Sequence, residues 1–344
     1  MQLILDDRTV SYYNACKGVR KPYKRRCTNI NVVLLDYGSL GCDVDLTPFQ
    51  STGTVTAYEM TTPDQLAERI QDADVLITNK LKLNRSNLGA APHLKQICVT
   101  ATGYDNIDLD YCAERGIAVC NVPGYSTDSV AQLTLAMAFA LSTHLISYRI
   151  LVIGGFYARS GSPNLLPPVG QVLTGRVWGI VGCGNIGRKV ARVAQAMGCK
   201  VLVFRRSADP EFETADLDTL LRQSDVVSIH LPLNDKTRGI ISREKLALMK
   251  KDAILVNVAR GAITDEAALA DAIEAGQLGG LGVDVYSAEP LPAEHAYSRI
   301  MEKPNVIFTP HCAWGAQEAR NRCVREVAEN ILAFSRGERR NRVC

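Results

Sequence analysis

The sequence predicts an α/β protein of two domains, the second of them built on a six-stranded, doubly wound parallel sheet. One observation behind this prediction is that short apolar runs alternate with segments of helical spacing along most of the chain, which is typical of parallel βαβ units. Another is that the apolar runs of the second half are continuous and rich in β-branched residues, as in strands covered on both faces. The third is length, since 344 residues suffice for two domains with cores of their own.

The first half of the chain contains five strand candidates. They are 30–36, 54–59, 74–79, 94–101 and 117–122. The segments PDQLAERIQDA and LDYCAERG between them have helical spacing. A more apolar stretch, Val130–Leu141, predicts a helix buried in a core or in a subunit interface, because it is too short and too interrupted to span a bilayer.

The second half repeats this scheme more strictly. Its strand candidates are 177–182, 200–204, 225–231, 253–258, 279–285 and 305–310, and its helix candidates are 185–197, 214–223, 242–249, 264–276 and about 316–335. The loop SGSPNLLPPVGQ (160–171) is rich in Pro, Gly and Ser and is predicted to cross between the domains.

Composition excludes several classes of protein. The formal charge is only +3 and much of the basic excess lies in the first 30 residues, which gives no support for nucleic-acid binding by the body of the chain. The 11 cysteines are scattered without a CxxC pair or a Cys/His cluster, so we expect no metal site and mostly buried, reduced thiols in a cytoplasmic protein. Residues 1–29 lack the pattern of a secretory signal and are predicted to form an irregular extension.

The motif GCGNIG directly follows the strand candidate VWGIV and opens a helix pattern. In that context it predicts dinucleotide binding rather than plain strand–helix packing. We expect Gly182 to permit a sharp turn, Gly184 to let the backbone approach a pyrophosphate, and Gly187 to let the helix lie close to the strand. The backbone N–H groups at the helix start would then face the phosphates.

The end of the next strand predicts which dinucleotide binds. NAD sites place a carboxylate there for the ribose 2′-OH, whereas this chain has Phe204 followed by Arg205, Arg206 and Ser207, with Asp209 as the first acid. Guanidinium groups and a hydroxyl suit a 2′-phosphate. NADP(H) is therefore preferred to NAD(H), and two solvated surface arginines are the alternative interpretation.

Three strand-end motifs further along carry residues suited to hydride transfer on a 2-oxo acid. VNVARGA contains Arg260, GVDVYSAEP contains Asp284 and Glu289, and FTPHCAW contains His311. A forked guanidinium suits a substrate carboxylate and its polarised ketone, and a histidine suits proton donation to a developing alkoxide. An acid beside that histidine favours its protonated form. Each residue alone is weak evidence, but their joint order after a glycine turn indicates a reductase.

These motifs resemble those of the D-isomer-specific 2-hydroxyacid dehydrogenase family. The similar stretches are TATGYDNIDL, NVPGYSTDSVAQLTLAMAF, GIVGCGNIGR, HLPLNDKTRGII, NVARGAITDEAAL, GVDVYSAEPL and FTPHCAWG. They run from about Ile30 to about Phe334. The NVPGYST and TPHCAW forms are most similar to the glycerate dehydrogenase, or hydroxypyruvate and glyoxylate reductase, branch. The sequence departs from the family's NAD-specific pattern at 204–207, where an acid is missing.

The resemblance implies two Rossmann-like or flavodoxin-like domains, the coenzyme domain being inserted into a discontinuous substrate domain. The implied limits are 30–125 with 316–344 for the substrate domain and 126–315 for the NAD(P)-binding domain. It also implies a homodimer with the helix after the NVPGY motif at the interface, and it makes Arg260, Glu289 and His311 the catalytic trio.

The resemblance further indicates which residues bind ligands. The backbone at Thr102, Gly103 and Tyr104 would bind the substrate carboxylate together with Arg260. The expected cofactor contacts, from the motifs and the resemblance together, are Thr127, Gly182, Gly184, Asn185, Ile186, Gly187, Arg205, Arg206, Ser207, His230, Pro232, Thr237, Val258, Asp284 and His311.

We therefore expect a cytoplasmic, dimeric enzyme that reversibly reduces hydroxypyruvate or glyoxylate to the D-2-hydroxy acid with NADPH or NADH. One alternative keeps the chemistry and changes the substrate, to phosphoglycerate or another D-2-hydroxy acid. Another is a nucleotide-sensing regulatory protein on the same fold, because fold alone does not determine function. No nucleic-acid or membrane partner is expected.

Overall fold

A computed structural model of the chain describes residues 30–344, which divide into two compact units. The first unit comprises the described residues up to Tyr125 together with Gly315–Cys344, and the second comprises Ser126–Trp314. Each unit is built on a parallel sheet of its own. The predicted α/β fold with two Rossmann-like sheets is thereby confirmed.

The sheet of the first unit has five strands in the order β2-β1-β3-β4-β5. The strands are β1 (Asn31–Leu34), β2 (Thr54–Ala57), β3 (Val75–Thr78), β4 (Gln96–Val99) and β5 (Ala118–Cys120). The connecting helices are α1 (Pro63–Ile70), α2 (Arg85–Leu88) and α3 (Leu109–Glu114). β3 and β4 are buried along their whole length, which explains why their sequences are continuous apolar runs rather than alternating ones.

The second unit begins with three helices and continues as a doubly wound sheet of seven strands in the order β12-β11-β10-β9-β6-β7-β8. The helices before the sheet are α4 (Thr127–Ser142), α5 (Leu145–Ile153) and α6 (Phe156–Arg159). The strands are β6 (Val177–Val181), β7 (Lys200–Phe204), β8 (Glu213–Thr214), β9 (Val226–Ile229), β10 (Ile254–Asn257), β11 (Gly280–Val283) and β12 (Val306–Phe308). The helices between them are α7 (Asn185–Ala196), α8 (Leu217–Gln223), α9 (Arg243–Leu246) and α10 (Glu266–Glu274).

The last helix, α11 (Gln317–Ser335), returns to the first unit and packs on β4. Asn330 is buried in this helix, and its side-chain amide donates to the carbonyl of Asn121 at 3.0 Å. The chain then pairs with the edge strand β5, where Val343 N–H donates to Val119 O at 2.8 Å. These contacts cover an edge that would otherwise expose unpaired backbone groups.

Each of the eleven strands predicted from the apolar runs is present, but the six-stranded prediction for the second sheet is wrong by one strand. The additional strand, β8, consists of two exposed polar residues that pair with Leu202 and Val203 of β7. It has no apolar pattern, so its pairing depends on the neighbouring strand alone. Because Thr214 belongs to β8, the helix predicted from residue 214 begins later, at Leu217. Asp216 caps this helix by accepting from Thr219 N–H at 2.9 Å.

The apolar run in the helix after the NVPGY motif is explained by burial inside the second unit. α4 packs on β10 and β11, where Gly280 and Gly282 leave room for Leu141 and Met137. The prediction that the loop 160–171 crosses between domains is wrong, since both of its flanks belong to the second unit. Within residues 30–344, no single helix is long and apolar enough to cross a membrane, although the bent pair α4 and α5 meets that test jointly.

The cysteines of the described chain are mostly buried free thiols, as predicted for Cys98 and Cys120. Cys312 is exposed. The prediction of reduced thiols is wrong for Cys42, which is disulfide-bonded.

Candidate active site

The residues that follow the strands of the second sheet gather at one edge, because all of these strands are parallel. The chain order reverses between β6 and β9, and open α/β sheets bind ligands in the crevice beyond the carboxyl ends of the strands at such a point. The motif residues lie at this edge. The glycine turn follows β6, the arginine loop (Arg205–Ser207) follows β7, His230 follows β9, Arg260 follows β10, Asp284 follows β11 and His311 follows β12.

The glycine turn combines two tightly packed positions with one open position. Gly182 has a φ of 103°, and a Cβ atom there would lie 2.9 Å from the backbone of His230. A Cβ atom at Gly187 would lie 2.2 Å from the carbonyl oxygen of Gly182. At Gly184, by contrast, a Cβ atom would meet nothing within 4 Å in the described chain. Gly184 is also the N-cap of α7, whose first N–H groups suit an anion, so the turn fits a dinucleotide pyrophosphate.

Glu289 and His311 are brought into direct contact. His311 Nδ1 lies 2.7 Å from Glu289 Oε2, and both side chains are partly exposed. The second carboxylate oxygen, Oε1, accepts the backbone N–H of Tyr286 at 3.1 Å. His311 itself has a positive φ of 53°, which is uncommon for residues other than glycine. Because Nδ1 is turned to Glu289, Nε2 is the ring nitrogen on the opposite side of the imidazole.

Asp284 holds the loop that carries His311. Its side chain is fully buried, and Oδ1 accepts the hydroxyl of Thr309 at 2.5 Å and the N–H of Cys312 at 2.8 Å. Oδ2 accepts the N–H of Ala313 at 2.9 Å. The carboxylate therefore ties residues on both sides of His311, and the cofactor contact expected of Asp284 stays a prediction.

Arg260 is placed at the same edge through the glycine that follows it. A Cβ atom on Gly261 would lie 2.1 Å from the carbonyl carbon of Tyr286 and 2.2 Å from the nitrogen of Ser287. Only glycine permits this approach of the segment after β10 to the turn that contains Glu289. The Arg260 guanidinium donates to its neighbour Ala259 O at 2.8 Å, and its backbone carbonyl accepts from Asn257 at 2.9 Å.

The arginine loop is joined to Asp209, the acid that sequence reasoning placed outside the site. Arg205 forms an ion pair with Asp209, and Arg188 of α7 binds the same carboxylate at 2.5 and 3.1 Å. The Asp209 side chain is fully buried, and hydrogen bonding by Arg188 holds its pKa well below the ordinary value. Arg206 and Ser207 are exposed.

His230 differs from His311 in its surroundings. Its Nε2 lies 3.0 Å from the hydroxyl of Ser228, which also accepts from the Trp178 indole at 3.0 Å. Burial lowers the pKa of His230 to about 3, so the ring stays neutral and is unsuited to donating protons at neutral pH. Its backbone packs against Gly182 of the glycine turn.

The remaining predicted cofactor contacts of the second unit lie at the starts of helices, in a turn and directly after a strand. Thr127 is the first residue of α4, and the Thr237 hydroxyl donates to Pro232 O at 2.7 Å, which closes the turn after β9. Asn185 and Ile186 begin α7. Val258 follows β10 and is buried.

The predicted carboxylate-binding turn belongs to the first unit. Asn121 donates to Thr102 O at 2.7 Å, and the Thr102 hydroxyl donates to Val122 O at 2.9 Å. These two hydrogen bonds join the turn to the segment that follows β5. Within the described residues, the backbone N–H groups of Thr102, Gly103 and Tyr104 make no backbone hydrogen bond. They are therefore suited to bind an anion.

Comparison with known proteins identifies the family. The sequence model for the NAD-binding domain of D-isomer-specific 2-hydroxyacid dehydrogenases matches residues 135–313. A glycerate dehydrogenase of Methylorubrum extorquens is 36% identical over 311 residues, which is 90% of this chain and 98% of the relative. The chain belongs to the D-isomer-specific 2-hydroxyacid dehydrogenase family.

Other members of the family extend this likeness. A glyoxylate reductase of Thermococcus litoralis is 37% identical over 281 residues, covering 79% of this chain and 84% of that protein. The crystal structure of a D-lactate dehydrogenase of Aquifex aeolicus, complexed with NAD and lactic acid, has a TM-score of 0.78, 29% identity and coverage of 90% and 96%. The chain is thus a nicotinamide-dependent oxidoreductase that acts on CH–OH donors.

Two side chains that bind the loops of this sheet edge were missed by sequence reasoning. Glu266 binds Ser287 and His295, and Arg188 binds Asp209. Glu266 resembles an ordinary acid in the first turn of a helix, and Arg188 resembles an ordinary helix-surface residue. Their partners lie 21 or more residues away along the chain, where no local pattern connects them.

Proposed function

We propose that this 2-hydroxyacid dehydrogenase reduces hydroxypyruvate or glyoxylate to the D-2-hydroxy acid, reversibly and with NADPH as the preferred reductant. The observation that carries the proposal is the Glu289–His311 pair, with its 2.7 Å contact at the carboxyl edge of a cofactor-binding sheet. The names of the relatives support a small, polar 2-hydroxy acid as the substrate class.

His311 is proposed to donate a proton to the oxygen of the substrate carbonyl. When bound, the nicotinamide supplies the hydride for the carbonyl carbon. As the hydride arrives, the oxygen gains negative charge, and an imidazolium that donates its Nε2–H can neutralise it. Glu289 favours that imidazolium electrostatically and orients the ring through Nδ1. In the reverse direction the neutral imidazole takes the proton back.

Arg260 is proposed to bind the substrate carboxylate and to polarise the ketone. A planar guanidinium forms two parallel hydrogen bonds with a carboxylate, and such a charge-assisted pair fixes the orientation of the substrate. The backbone N–H groups at Thr102, Gly103 and Tyr104 of the first unit are also proposed to bind a carboxylate, because they make no backbone hydrogen bond within the described residues. These groups bind and orient, while the proton transfer is assigned to His311.

The glycine turn and the strand ends are proposed to hold the cofactor. Gly184 and the first N–H groups of α7 would face the pyrophosphate. The arginine loop would face the adenosine ribose. The state of Asp209 supports NADPH over NADH, because its carboxylate is buried and neutralised by Arg188 and Arg205 and so does not repel a 2′-phosphate.

The decisive experiment measures kcat/KM for glyoxylate, hydroxypyruvate and pyruvate, each with NADPH and with NADH. We expect Arg260→Ala to lower kcat/KM for the 2-oxo acids by about a thousandfold, as for removal of a group that stabilises a developing oxyanion. Arg238→Ala is the matched control, since Arg238 is an exposed arginine of the same unit. Near-normal turnover by Arg260→Ala would contradict the assignment of this site.

A homodimer is the proposed assembly, with contacts through α5 and α6 as well as α4. Several large apolar side chains of this segment are exposed, and exposed patches of this kind are typical of protein–protein interfaces. They are Leu145, Ile150, Val152, Ile153, Phe156 and Tyr157. Sedimentation analysis of Val152→Glu with Ile153→Glu should yield a monomer, whereas Met60→Glu, a change at an exposed methionine of the first unit, should leave the dimer intact.

A further inference from the structure

Glu266 has an unusual environment for the first residue of a helix. A carboxylate at this position is ordinarily exposed and interacts with the helix dipole. The Glu266 side chain is only 9% exposed and reaches a different loop. Its Oε1 accepts the N–H of Ser287 at 2.9 Å, and its Oε2 accepts both the Ser287 hydroxyl and His295 Nε2, the latter at 2.9 Å.

The tautomer of His295 follows from its two hydrogen bonds. Its Nδ1 accepts the backbone N–H of Tyr297 at 3.2 Å, so the ring proton is on Nε2 and is donated to Glu266. The His295 side chain is 10% exposed and packs on the Tyr297 ring, with centroids 4.8 Å apart. Both oxygens of Glu266 are therefore committed to donors from outside its own helix.

Ser287 lies at the point where the segments of the catalytic trio meet. Its neighbour Tyr286 donates its N–H to Glu289 Oε1 and its hydroxyl to Thr309 O at 2.9 Å, two residues before His311. Gly261, which follows Arg260, packs on the same Tyr286–Ser287 peptide. This peptide shares the Tyr286 Cα atom with the preceding peptide, whose N–H binds Glu289, so a change in its position would move Glu289 relative to His311.

We propose that Glu266 is a positioning residue for the Glu289–His311 pair and acts on it through Ser287. The proposal rests on the proposed function, in which this pair transfers the proton. By fixing the N–H and the hydroxyl of Ser287, Glu266 sets the place of the Tyr286 N–H and hence of the Glu289 carboxylate. A looser carboxylate stabilises the imidazolium less, because the attraction falls with distance and with hydration.

Other ionisable groups also face this network and remain unchanged by a substitution at Glu266. Burial raises the pKa of Tyr286, and the nearby Asp284, Glu289 and Cys312 raise it further. Burial likewise raises the pKa of Tyr297, and Asp265 adds to this effect. Because these groups are common to the wild type and the variants, a difference between them reports Glu266 alone.

The test compares Glu266→Gln with Glu274→Gln in the full-length chain. The Glu266→Gln side chain keeps the size and one acceptor oxygen, but its NH₂ group would face the His295 N–H. Glu274 is on the same helix and pairs with Arg299 at the surface, so its variant removes the same charge without touching the turn. We expect kcat of Glu266→Gln to fall about tenfold with KM changed less than about twofold, as for a small misplacement of a reacting group. The alkaline limb of the kcat/KM profile for reduction should move to lower pH.

A second readout separates this inference from the proposed reaction. The chain has five histidines, so the titration of the His311 imidazole can be followed by NMR and assigned with single variants. We expect its midpoint to fall in Glu266→Gln and to stay unchanged in Glu274→Gln. If the wild type reduced no 2-oxo acid, the proposed function would fail, while the NMR titration would still test the coupling.

Ser287→Ala is a milder second variant, which still tests the proposal if Glu266→Gln does not fold. It keeps Glu266 and removes only the bond from the serine hydroxyl, so the His311 midpoint and the pH limb should shift in the same direction by a smaller amount. Glu266→Gln and Ser287→Ala variants whose kcat, pH limb and His311 midpoint match those of Glu274→Gln would overturn the proposal.

Discussion

Glu289 Oε2 lies 2.7 Å from His311 Nδ1, and Glu289 Oε1 accepts the backbone N–H of Tyr286 at 3.1 Å. Both oxygens of this carboxylate thus have fixed partners, one of which is the imidazole. The carboxylate is held by the loop after β11 and the imidazole by the loop after β12, and the buried Asp284 ties down the second of these loops. The relative position of the pair is consequently set by backbone contacts rather than by the side chains alone.

The first prediction concerns the charge of Glu289. Glu289→Gln keeps the size of the side chain but removes the negative charge that favours the imidazolium. We expect kcat for reduction at neutral pH to fall about tenfold or more, and the alkaline limb of the kcat/KM profile to move to lower pH. Steady-state kinetics across the acid and alkaline limbs measure this, with Glu294→Gln, a change at an exposed acid of the same loop, as the control. Profiles that superimpose would exclude an electrostatic role for Glu289.

The second prediction concerns the close approach at Gly261. Gly261→Ala forces a Cβ atom to within 2.1 Å of the Tyr286 backbone, which cannot move aside as a flexible side chain would. We expect the free energy of unfolding to fall by about 2 kcal/mol, as for overpacking in a core, and kcat to fall with it because Arg260 and Glu289 are displaced. Gly89→Ala is the control, since a Cβ atom there meets no described atom within 4 Å. Denaturant unfolding and kinetics on both variants test the expectation.

Fold and site differ in how far the sequence predicts them. Most of the parallel strands are predictable because they are largely buried runs of apolar residues that carry their own pattern, whereas β8 is polar and exists only by pairing with β7. The catalytic candidates lie in recognisable motifs that follow strands; they are Arg260, Glu289 and His311. Glu266 has no such mark, because its partner Ser287 is 21 residues away and the contact arises from packing of two loops.

The arginine loop shows a second limit of prediction from sequence, which concerns the partners of charged side chains. The sequence correctly presents Arg205 and Arg206 after β7, but it does not indicate that Asp209 turns back to bind Arg205. Nor does it indicate that Arg188, 21 residues before Asp209, completes the neutralisation of that acid. Whether a charge near a ligand is available depends on tertiary partners.

The third prediction concerns the stability contributed by Asp209. Hydrogen bonding by Arg188 holds the pKa of Asp209 below its ordinary value of 3.8. A carboxyl whose pKa is lowered by folding stabilises the native state above its ordinary pKa and loses that contribution as the pH falls through the lowered value. We therefore expect Asp209→Asn to lower Tm by a few degrees at neutral pH and by progressively less below about pH 4.

Thermal unfolding at several pH values measures this difference. The control is Asp235→Asn, because Asp235 is exposed in the turn after β9 and its removal should change Tm little at any of these pH values. A difference between wild type and Asp209→Asn that stayed constant throughout the acid range would show that the effect is not linked to ionisation of this carboxyl.

The last prediction concerns cofactor choice. Replacing both Arg205 and Arg206 with alanine removes the guanidinium groups that the proposed function assigns to the 2′-phosphate. A charge-assisted hydrogen bond contributes on the order of 1.5–3 kcal/mol, so we expect KM for NADPH to rise at least about tenfold. KM for NADH should change little, because its adenosine ribose carries no phosphate. The control Arg222→Ala, at an exposed arginine on α8, should leave both constants unchanged. An equal rise for NADPH and NADH would mean that the two arginines support the fold of the loop and do not select the cofactor.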